Sequence, residues 1–157
     1  MGSISTVDLQ TKMDVHELLS RFCHFLDHNG GLEWARLFTP TAVIEKGPLG
    51  CFAGHSEICQ IPAMVAEKGN GLLRHHLTNV MFERTGNVKE LIVEAYFVGT
   101  DWGQGGAMVH SADFKAVLHN RCHWQISRLE LTPIAQTCVS ASHQAPSLGS
   151  LASVTVN

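Results

Sequence analysis

The sequence lacks the features that mark membrane, secreted and nucleic-acid-binding proteins. No apolar run approaches the roughly 18 residues of a membrane span, and the first 13 residues have no apolar stretch typical of a secretory signal. Charged residues make up only 16% of the chain, the formal net charge is −3, and no basic stripe is present. We therefore expect a cytoplasmic protein without nucleic-acid or membrane partners.

Cysteine pairs, tyrosines and phosphate-binding motifs are also scarce. The five cysteines are odd in number, widely spaced and without a C-x-x-C pair, which argues against a disulfide framework or a zinc ribbon. The glycine-rich loop 103–106 lies between two predicted strands rather than before a helix, so we expect no phosphate site there. Ten histidines are a high count for a chain of 157 residues, and they are the one compositional hint of chemistry.

The predicted helices and strands fall into two blocks. Periodicity and turn residues predict helices at 13–27, 32–38 and 56–68, short strands at 42–46 and 51–53, and long strands at 72–83, 91–100, 107–118 and 122–131. Short connections between the long strands indicate antiparallel pairing. This order predicts an α+β fold in which a curved, mostly antiparallel sheet surrounds the helices as a cone with a small-molecule pocket inside.

The chain is expected to form one domain with two extensions. Residues 1–12 are polar and are predicted to be a flexible N-terminus, residues 13–133 form the domain, and residues 134–157 form a tail rich in serine, alanine and threonine. The tail has too few apolar residues to fold as a domain, although it could drape over a pocket or a neighbour.

Two adjacent histidines open the first long strand, and neighbouring strand residues point to opposite faces. One of His75 and His76 should therefore face the interior, where a histidine can move protons near neutral pH. Asp27 ends the first predicted helix, where the helix dipole disfavours a negative charge, so it needs another stabilising partner. We predict an Asp27–His76 pair. Solvation of Asp27, a capping role for it, and structural roles for both histidines remain open.

A metal site is the alternative use of the histidines. His24 and His28 are four residues apart on a helix, a spacing that can bind zinc from one helix face. Asp27 is offset from that face, and no glutamate follows the first histidine as it does in zinc proteases. Exposure of both side chains is the favoured interpretation, so no metal site is predicted.

Three groups of residues carry a resemblance to a known family. They are CHFLD at 23–27 followed by WARLFT at 34–39, RHHLTNV at 74–80, and HWQISRL at 123–129. With the order of elements, they resemble the SnoaL-like branch of the nuclear transport factor 2-like superfamily over roughly residues 10–133. Within it the chain is most similar to the group of scytalone dehydratase, hexachlorocyclohexane dehydrochlorinase and bile-acid dehydratase. The resemblance implies a cone-shaped α+β barrel and catalysis without a cofactor.

In that group, an aspartate ending the first helix orients a histidine on the long strand, and the histidine removes a proton from the substrate. Asp27 and His76 fall on those two positions. The implied reaction removes a proton next to a carbonyl or a leaving group, followed by loss of water or halide, a double-bond shift or ring closure.

The resemblance also suggests substrate-binding residues on the third long strand. The sequence Ser111-Ala112-Asp113 is similar to a Ser-Ala-Asn stretch of scytalone dehydratase whose Ser and Asn point into the pocket. Ser111 and Asp113 are therefore candidates for substrate binding, although aspartate here replaces a neutral hydrogen-bond donor. Asp113 could act as a second acid/base group or accept a hydrogen bond from the substrate, or it could instead pair with Lys115 or Arg128.

Other pocket positions depart from scytalone dehydratase. Its carbonyl-polarising tyrosines fall at Leu26 and Lys46, and its second pocket histidine falls at Asp101. Lys46, Asp101 and Trp102 are therefore candidates for the rim or wall of the pocket. The departures retain the dyad but leave the group that polarises the substrate unassigned.

Two functions from different classes follow. One is a cofactor-independent dehydratase, isomerase or cyclase acting on a small hydrophobic carbonyl or polyketide-like compound. The other is a non-catalytic binding or assembly module, a use to which the same fold is often put. A charged pair inside an apolar cavity favours the enzyme. The resemblance further implies a homo-oligomer formed through the outer face of the sheet, with a trimer slightly favoured over a dimer.

Overall fold

Residues 6–134 are described by a computed structural model. Its helices are α1 (Leu9–Asp27), α2 (Gly31–Ala35), α3 (Gly54–Ile58) and α4 (Ile61–Lys68), and its strands are β1 (Phe38–Gly47), β2 (Gly50–Ala53), β3 (Leu73–Arg84), β4 (Glu90–Asp101), β5 (Ala107–Asn120) and β6 (Trp124–Pro133). The predicted tail lies outside the described residues apart from Ile134. None of the helices in this part of the chain is long and apolar enough to cross a membrane.

The six strands form one sheet in the order β2-β1-β6-β5-β4-β3. Every neighbouring pair is antiparallel except β1 and β6, which run parallel. Helix α1 lies against β3 and β6, inside the curve of the sheet. The predicted α+β fold with a mixed, mostly antiparallel sheet around N-terminal helices is confirmed.

Helix α1 is longer than the sequence pattern predicts. The expected start at Met13 is wrong, because Asp8 caps the helix by accepting a hydrogen bond from the Thr11 backbone N–H at 2.9 Å. Val7, just before the cap, is buried in the core. The predicted boundary between a flexible N-terminus, residues 1–12, and the domain therefore lies too far along the chain. The predicted end at Asp27 agrees with the structure.

Two further helices differ from their predicted ranges. The single helix expected at 56–68 is two helices, α3 and α4. Pro62 lies in the first turn of α4, where a backbone N–H has no partner within the helix, so proline costs no hydrogen bond there. Helix α2 ends before the predicted limit at Phe38, because Phe38 begins β1 and pairs with Ile126 of β6. The strand expected at 42–46 is correspondingly longer.

An aromatic cluster fixes α1 and α2 against the sheet. The ring of Phe22 lies 5.1 Å from Trp34 and 5.7 Å from Phe114, measured between centroids, and all three side chains are buried. The indole Nε1 of Trp34 donates a hydrogen bond to the Phe22 carbonyl oxygen at 3.0 Å. Burial of each ring contributes about 1.5–3 kcal/mol. The cluster therefore holds the C-terminal end of α1, and with it Asp27, firmly against the sheet.

Candidate active site

Among the residues that the structure describes, one residue, His75, forms hydrogen bonds with the Asp27 carboxylate. The His75 backbone N–H donates to Oδ2 at 2.9 Å, and its ring Nδ1 lies 2.6 Å from Oδ1. The two side chains are only 3% and 5% exposed for His75 and Asp27 respectively. Among the described residues no other ion pair is buried to this degree. The pair joins the end of α1 to the start of β3.

This geometry fixes the chemical form of the His75 ring. An ionised carboxylate can only accept hydrogen bonds, so Nδ1 carries the proton that is donated to Asp27. The ring nitrogen left without a partner in this pair is Nε2. The ring plane is held by Phe97, which stacks on it at 4.9 Å and 7° between planes. The aspartate therefore sets both the tautomer and the orientation of the imidazole.

The predicted Asp27–His76 pair is wrong. His76 is exposed, and its Nε2 lies 3.3 Å from the Thr100 hydroxyl. The cause is a β-bulge, in which Asn79 and Val80 together face Ala95 of β4. A regular strand would place His76 on the same face as Val80. The bulge reverses the alternation, so His75 faces inward and His76 outward.

Beside the pair is a cavity of about 390 Å³. Its walls are largely apolar and include Phe22, Trp34, Ile44, Phe97, Leu129 and Leu131. The polar side chains on its lining are few, namely Lys68, His75, Asp101, Gln104, His110 and Ser111. A cavity of this size, with apolar walls and a few polar groups, is typical of a site for a small organic molecule.

The structure adds one polar residue that sequence reasoning missed, His110 on β5. It is half-buried, lines the cavity, and its ring centroid is 5.1 Å from that of His75. Burial lowers the pKa of His110 below its ordinary 6.5, and the nearby His75 and Lys68 lower it further. A signal was present in the sequence, because His110 alternates with Ala112 and Phe114 on the apolar face of its strand.

A partly buried thiol, that of Cys23, lies in the same region. Burial, with a further contribution from the charge of Asp27, raises the pKa of Cys23 to about 12. A thiol this hard to ionise does not serve as a nucleophile near neutral pH. Cys23 is therefore a packing residue beside the dyad rather than part of its chemistry.

The candidate residues of β5 are separated by the structure. Ser111 borders the cavity, although it lies opposite Val98 in the same cross-strand row as the exposed His76. Its proposed hydrogen-bonding role stays a prediction. Asp113 is exposed on the outer face, because it alternates with the buried Ala112 and Phe114, so its assignment to the pocket is wrong.

The suggested ion pairs of Asp113 are also absent from the described residues. Lys115 pairs with Glu94, and Arg128 pairs with Glu45 and Glu130. Lys46 likewise faces away from the cavity. Its ammonium contacts Glu130 at 2.7 Å, and a bulge with a φ of 59° at Lys46 turns the chain there, so its assignment as a rim residue is wrong.

The two remaining candidates lie near the cavity mouth. Asp101 lines the cavity, but its carboxylate accepts hydrogen bonds from the Gly103 N–H at 2.8 Å and the Gln104 amide at 2.7 Å. It therefore shapes the loop after β4. Trp102 is 61% exposed and is not part of the cavity wall, because the loop directs it outward next to Gly106. Its assignment to substrate binding is wrong.

The histidine pair of α1 does not form part of the site. His24 and His28 are exposed and stack at 5.9 Å, and His28 Nδ1 bonds to the His24 carbonyl oxygen at 2.8 Å. Within residues 6–134, no group of three or more histidine, cysteine, aspartate or glutamate side chains is arranged to hold a metal ion.

Together, the curved sheet and the inserted helices define an α+β cone around the cavity. Residues 7–130 match the SnoaL-like domain family, and the chain belongs to that family. No curated protein matches the chain significantly.

Solved structures support the same fold. A protein of unknown function with a cystatin-like fold from Nostoc punctiforme has a TM-score of 0.72 and 19% identity, over 82% of this chain and 94% of that one. An NTF2-like protein with a cystatin-like fold from Novosphingobium aromaticivorans gives 0.69 and 13%, over 83% and 86%. A protein from the same organism, named as a candidate scytalone dehydratase, gives 0.63 and 15%, over 81% and 86%. The chain therefore has the cystatin-like, NTF2-like fold.

Proposed function

We propose that the protein is a cofactor-independent acid/base enzyme, a dehydratase, isomerase or cyclase. Its substrate would be a small hydrophobic carbonyl or polyketide-like compound that occupies the cavity. The catalytic pair would be Asp27 and His75. A solved structure with the same fold is named as a candidate scytalone dehydratase, which is in keeping with this class.

The observation that carries the proposal is the buried Asp27–His75 pair, whose histidine lines an apolar cavity. Taking two ionisable groups out of water costs several kcal/mol each, and hydrophobic residues of similar volume would be as stable or more so. A cavity used only to bind a hydrophobic compound has no need of such a pair. Catalysis of proton transfer needs an oriented histidine of this kind.

The geometry suggests how the pair would work. With Nδ1–H bonded to Asp27, Nε2 of His75 is the basic nitrogen. A carbonyl compound in the cavity would give a proton from the carbon next to its carbonyl to Nε2, and the imidazolium so formed would be stabilised by the Asp27 carboxylate. Return of the proton to a different carbon would complete an isomerisation. Its delivery to a departing hydroxyl would complete a dehydration.

The proposal is tested with 2-tetralone, a bicyclic ketone with acidic protons next to its carbonyl. In D₂O the wild-type protein should catalyse exchange of those protons for deuterium, followed by proton NMR. His75→Gln should reduce the protein-catalysed rate roughly 10²–10⁴-fold, the usual contribution of a general base. His76→Gln is the matched control, since it changes the adjacent, outward-facing histidine, and it should leave the rate unchanged.

Equal rates for the wild type and His75→Gln would contradict the proposal, as would a loss of rate in His76→Gln alone. Binding of 2-tetralone without any catalysed exchange would favour the non-catalytic binding module instead. Circular dichroism of each variant verifies that a loss of rate does not come from unfolding.

A further inference from the structure

We propose that His110 donates a hydrogen bond to the carbonyl oxygen of the substrate while His75 removes the proton from the adjacent carbon. The inference rests on the proposed function and names the group that polarises the carbonyl. The sequence contains one tyrosine, Tyr96, which is 52% exposed and in register with Asp113 on the outer face. The missing polarising group must therefore come from another side chain.

The sheet brings the two histidines together through a glycine. In the pairing of β3, β4 and β5, Gly99 lies opposite His75 on one side and His110 on the other. These three residues form one cross-strand row on the inner face. The imidazole rings are 5.1 Å apart between centroids and tilted by 37°, and Phe97 contacts both. A substrate carbonyl group is small enough to contact both rings at once.

Gly99 is the positioning residue for His110. A Cβ atom built on Gly99 would lie 2.1 Å from Cε1 and 2.3 Å from Nε2 of the His110 ring. No Cβ can approach a ring so closely, so the ring occupies its present place because residue 99 is glycine. The backbone of Gly99 has no positive φ, which means that alanine would be tolerated by the chain itself. Displacement of the ring is the expected response to that substitution.

The ring nitrogens of His110 are available to a ligand. In the part of the chain that the structure describes, neither nitrogen makes a hydrogen bond to the protein, whereas His55 and His119 each bond to a protein oxygen. A half-buried ring without a protein partner on the wall of a cavity can bond to whatever fills the cavity. Other polar side chains on the lining are less well placed. Asp101 and Gln104 bond to each other in the loop after β4, and Lys68 is exposed at the end of α4. Ser111 lies in the cross-strand row of the outward-facing His76.

The surroundings keep His110 uncharged near neutral pH. Burial lowers the pKa of His110 most, and positive charge on the neighbouring titratable groups, His75 of β3 and Lys68 of α4, lowers it further. A neutral imidazole has one N–H donor, which can polarise a carbonyl without transferring its proton. The two histidines would thus have different roles. His75 would be the base, bonded to Asp27, and His110 would be the hydrogen-bond donor, with no protein partner of its own among the described residues.

The proposed step balances without a further reactant. The C–H bond next to the carbonyl breaks, and its proton goes to Nε2 of His75. The electron pair forms the carbon–carbon double bond of an enolate, and the developing negative charge on oxygen is stabilised by the hydrogen bond from His110. The N–H bond of His110 remains intact throughout.

The test compares equilibrium binding of 2-tetralone with that of tetralin, which has the same ring skeleton without the oxygen. Because 2-tetralone can only accept a hydrogen bond, its advantage over tetralin measures the donor. By isothermal titration calorimetry, the wild type should bind 2-tetralone roughly fivefold more tightly than tetralin, the usual contribution of one hydrogen bond. The ratio should fall toward one in His110→Phe, which keeps an aromatic ring, and in Gly99→Ala, which keeps the imidazole but displaces it.

His76→Gln is the surface control and should keep the wild-type ratio. An unchanged ratio in His110→Phe would overturn the inference, as would a wild-type protein that shows no preference for 2-tetralone, including one that binds neither compound. An unchanged ratio in Gly99→Ala would overturn the positioning role. The calorimetric measurement does not depend on proton exchange. If the preference for 2-tetralone over tetralin depends on His110 but the protein catalyses no exchange, the proposed reaction is rejected and the role of His110 as hydrogen-bond donor is retained.

Discussion

At the scale of single residues, Asp27 is the charge around which the site is arranged. It lies at the C-terminal end of α1, where the helix dipole opposes a negative charge, and compensation comes from two donors of one residue. Because one donor is the backbone N–H of His75, the contact fixes the main chain of β3 as well as the ring. The same carboxylate influences Cys23 one turn earlier in α1.

The reactivity of Cys23 gives a prediction at this scale. Its pKa of about 12 leaves very little thiolate at pH 8, whereas Cys51 and Cys122 are exposed. Iodoacetamide should therefore modify Cys51 and Cys122 in the folded protein at least tenfold faster than Cys23, as followed by peptide mass spectrometry. Unfolding in urea should remove the difference. Modification of all three at similar rates in the folded protein would contradict the burial of the α1 terminus.

At the scale of elements, the bulge in β3 decides which histidine enters the site. Asn79 has a φ of 56°, in the left-handed region, and with Val80 it faces the single residue Ala95. Residues before and after the bulge both direct apolar side chains to the core, since Leu77, Val80 and Phe82 all pack there. Without the extra residue, one half of the strand would point its apolar side chains to solvent.

Substitutions at Asn79 test the bulge. Asn79→Val places a β-branched side chain in the left-handed region and should lower the free energy of unfolding by about 1–2 kcal/mol. Asn79→Gly, which has no such penalty, should stay within about 1 kcal/mol of the wild type. Urea unfolding followed by tryptophan fluorescence measures both. Equal stability of the valine and glycine variants would show that residue 79 is not held in this conformation.

The limits of sequence-based prediction are clearest in this strand. The apolar spacing of α1 and the glycines after it were enough to place Asp27 at a helix end, and the meander of strands was enough for the fold. Whether His75 or His76 faces the interior depends on the alternation of side chains along the strand, and one extra residue in a bulge reverses that alternation. Position 79 carries an asparagine, a residue that tolerates the left-handed region, but asparagine occurs in too many contexts to define a bulge by itself. The pairing of His75 with His110 depends on register between strands, which local pattern does not contain.

At the scale of the whole molecule, the cavity leaves a titratable group partly removed from water. His110 has a pKa below 6.5 in the folded protein, whereas the unfolded chain restores its ordinary value. Between those two values the unfolded state binds more protons, so acidification favours unfolding. This contribution to stability is complete above about pH 6.5 and decreases as the pH falls toward the pKa of the folded state.

The pH dependence of stability therefore gives a prediction. On acidification from about pH 7 to pH 5.5, the wild type should lose more of its free energy of unfolding than His110→Phe, which has no group to titrate at that position. Urea denaturation at each pH measures the two losses. Because His75, Asp27 and Lys68 are present in both proteins, the difference isolates His110. Identical losses would contradict a depressed pKa for this residue.

The outer face of the sheet suggests self-association. Met81 is 62% exposed and Tyr96 52% exposed on the outside of β3 and β4, and large apolar side chains of this kind are common at protein interfaces. We propose a homotrimer formed through this face. Size-exclusion chromatography with light scattering should give about three times the chain mass of 17.2 kDa. Met81→Glu should shift the mass toward one chain. A dimer would reject the trimer, and a monomeric wild type would reject association altogether.

The most direct test of the Asp27–His75 dyad is a long-range ¹H–¹⁵N NMR spectrum of the histidine side chains, recorded above pH 8. His75 should carry its proton on Nδ1, Asp27→Asn should abolish that single-tautomer signature, and 2-tetralone should shift the Nε2 signal of His75 while leaving His76 unchanged. Any of three results would contradict the assignment of His75 as the oriented base of the cavity. They are a His75 ring protonated on Nε2, a tautomer signature that Asp27→Asn does not change, and a 2-tetralone response at His76 without one at His75.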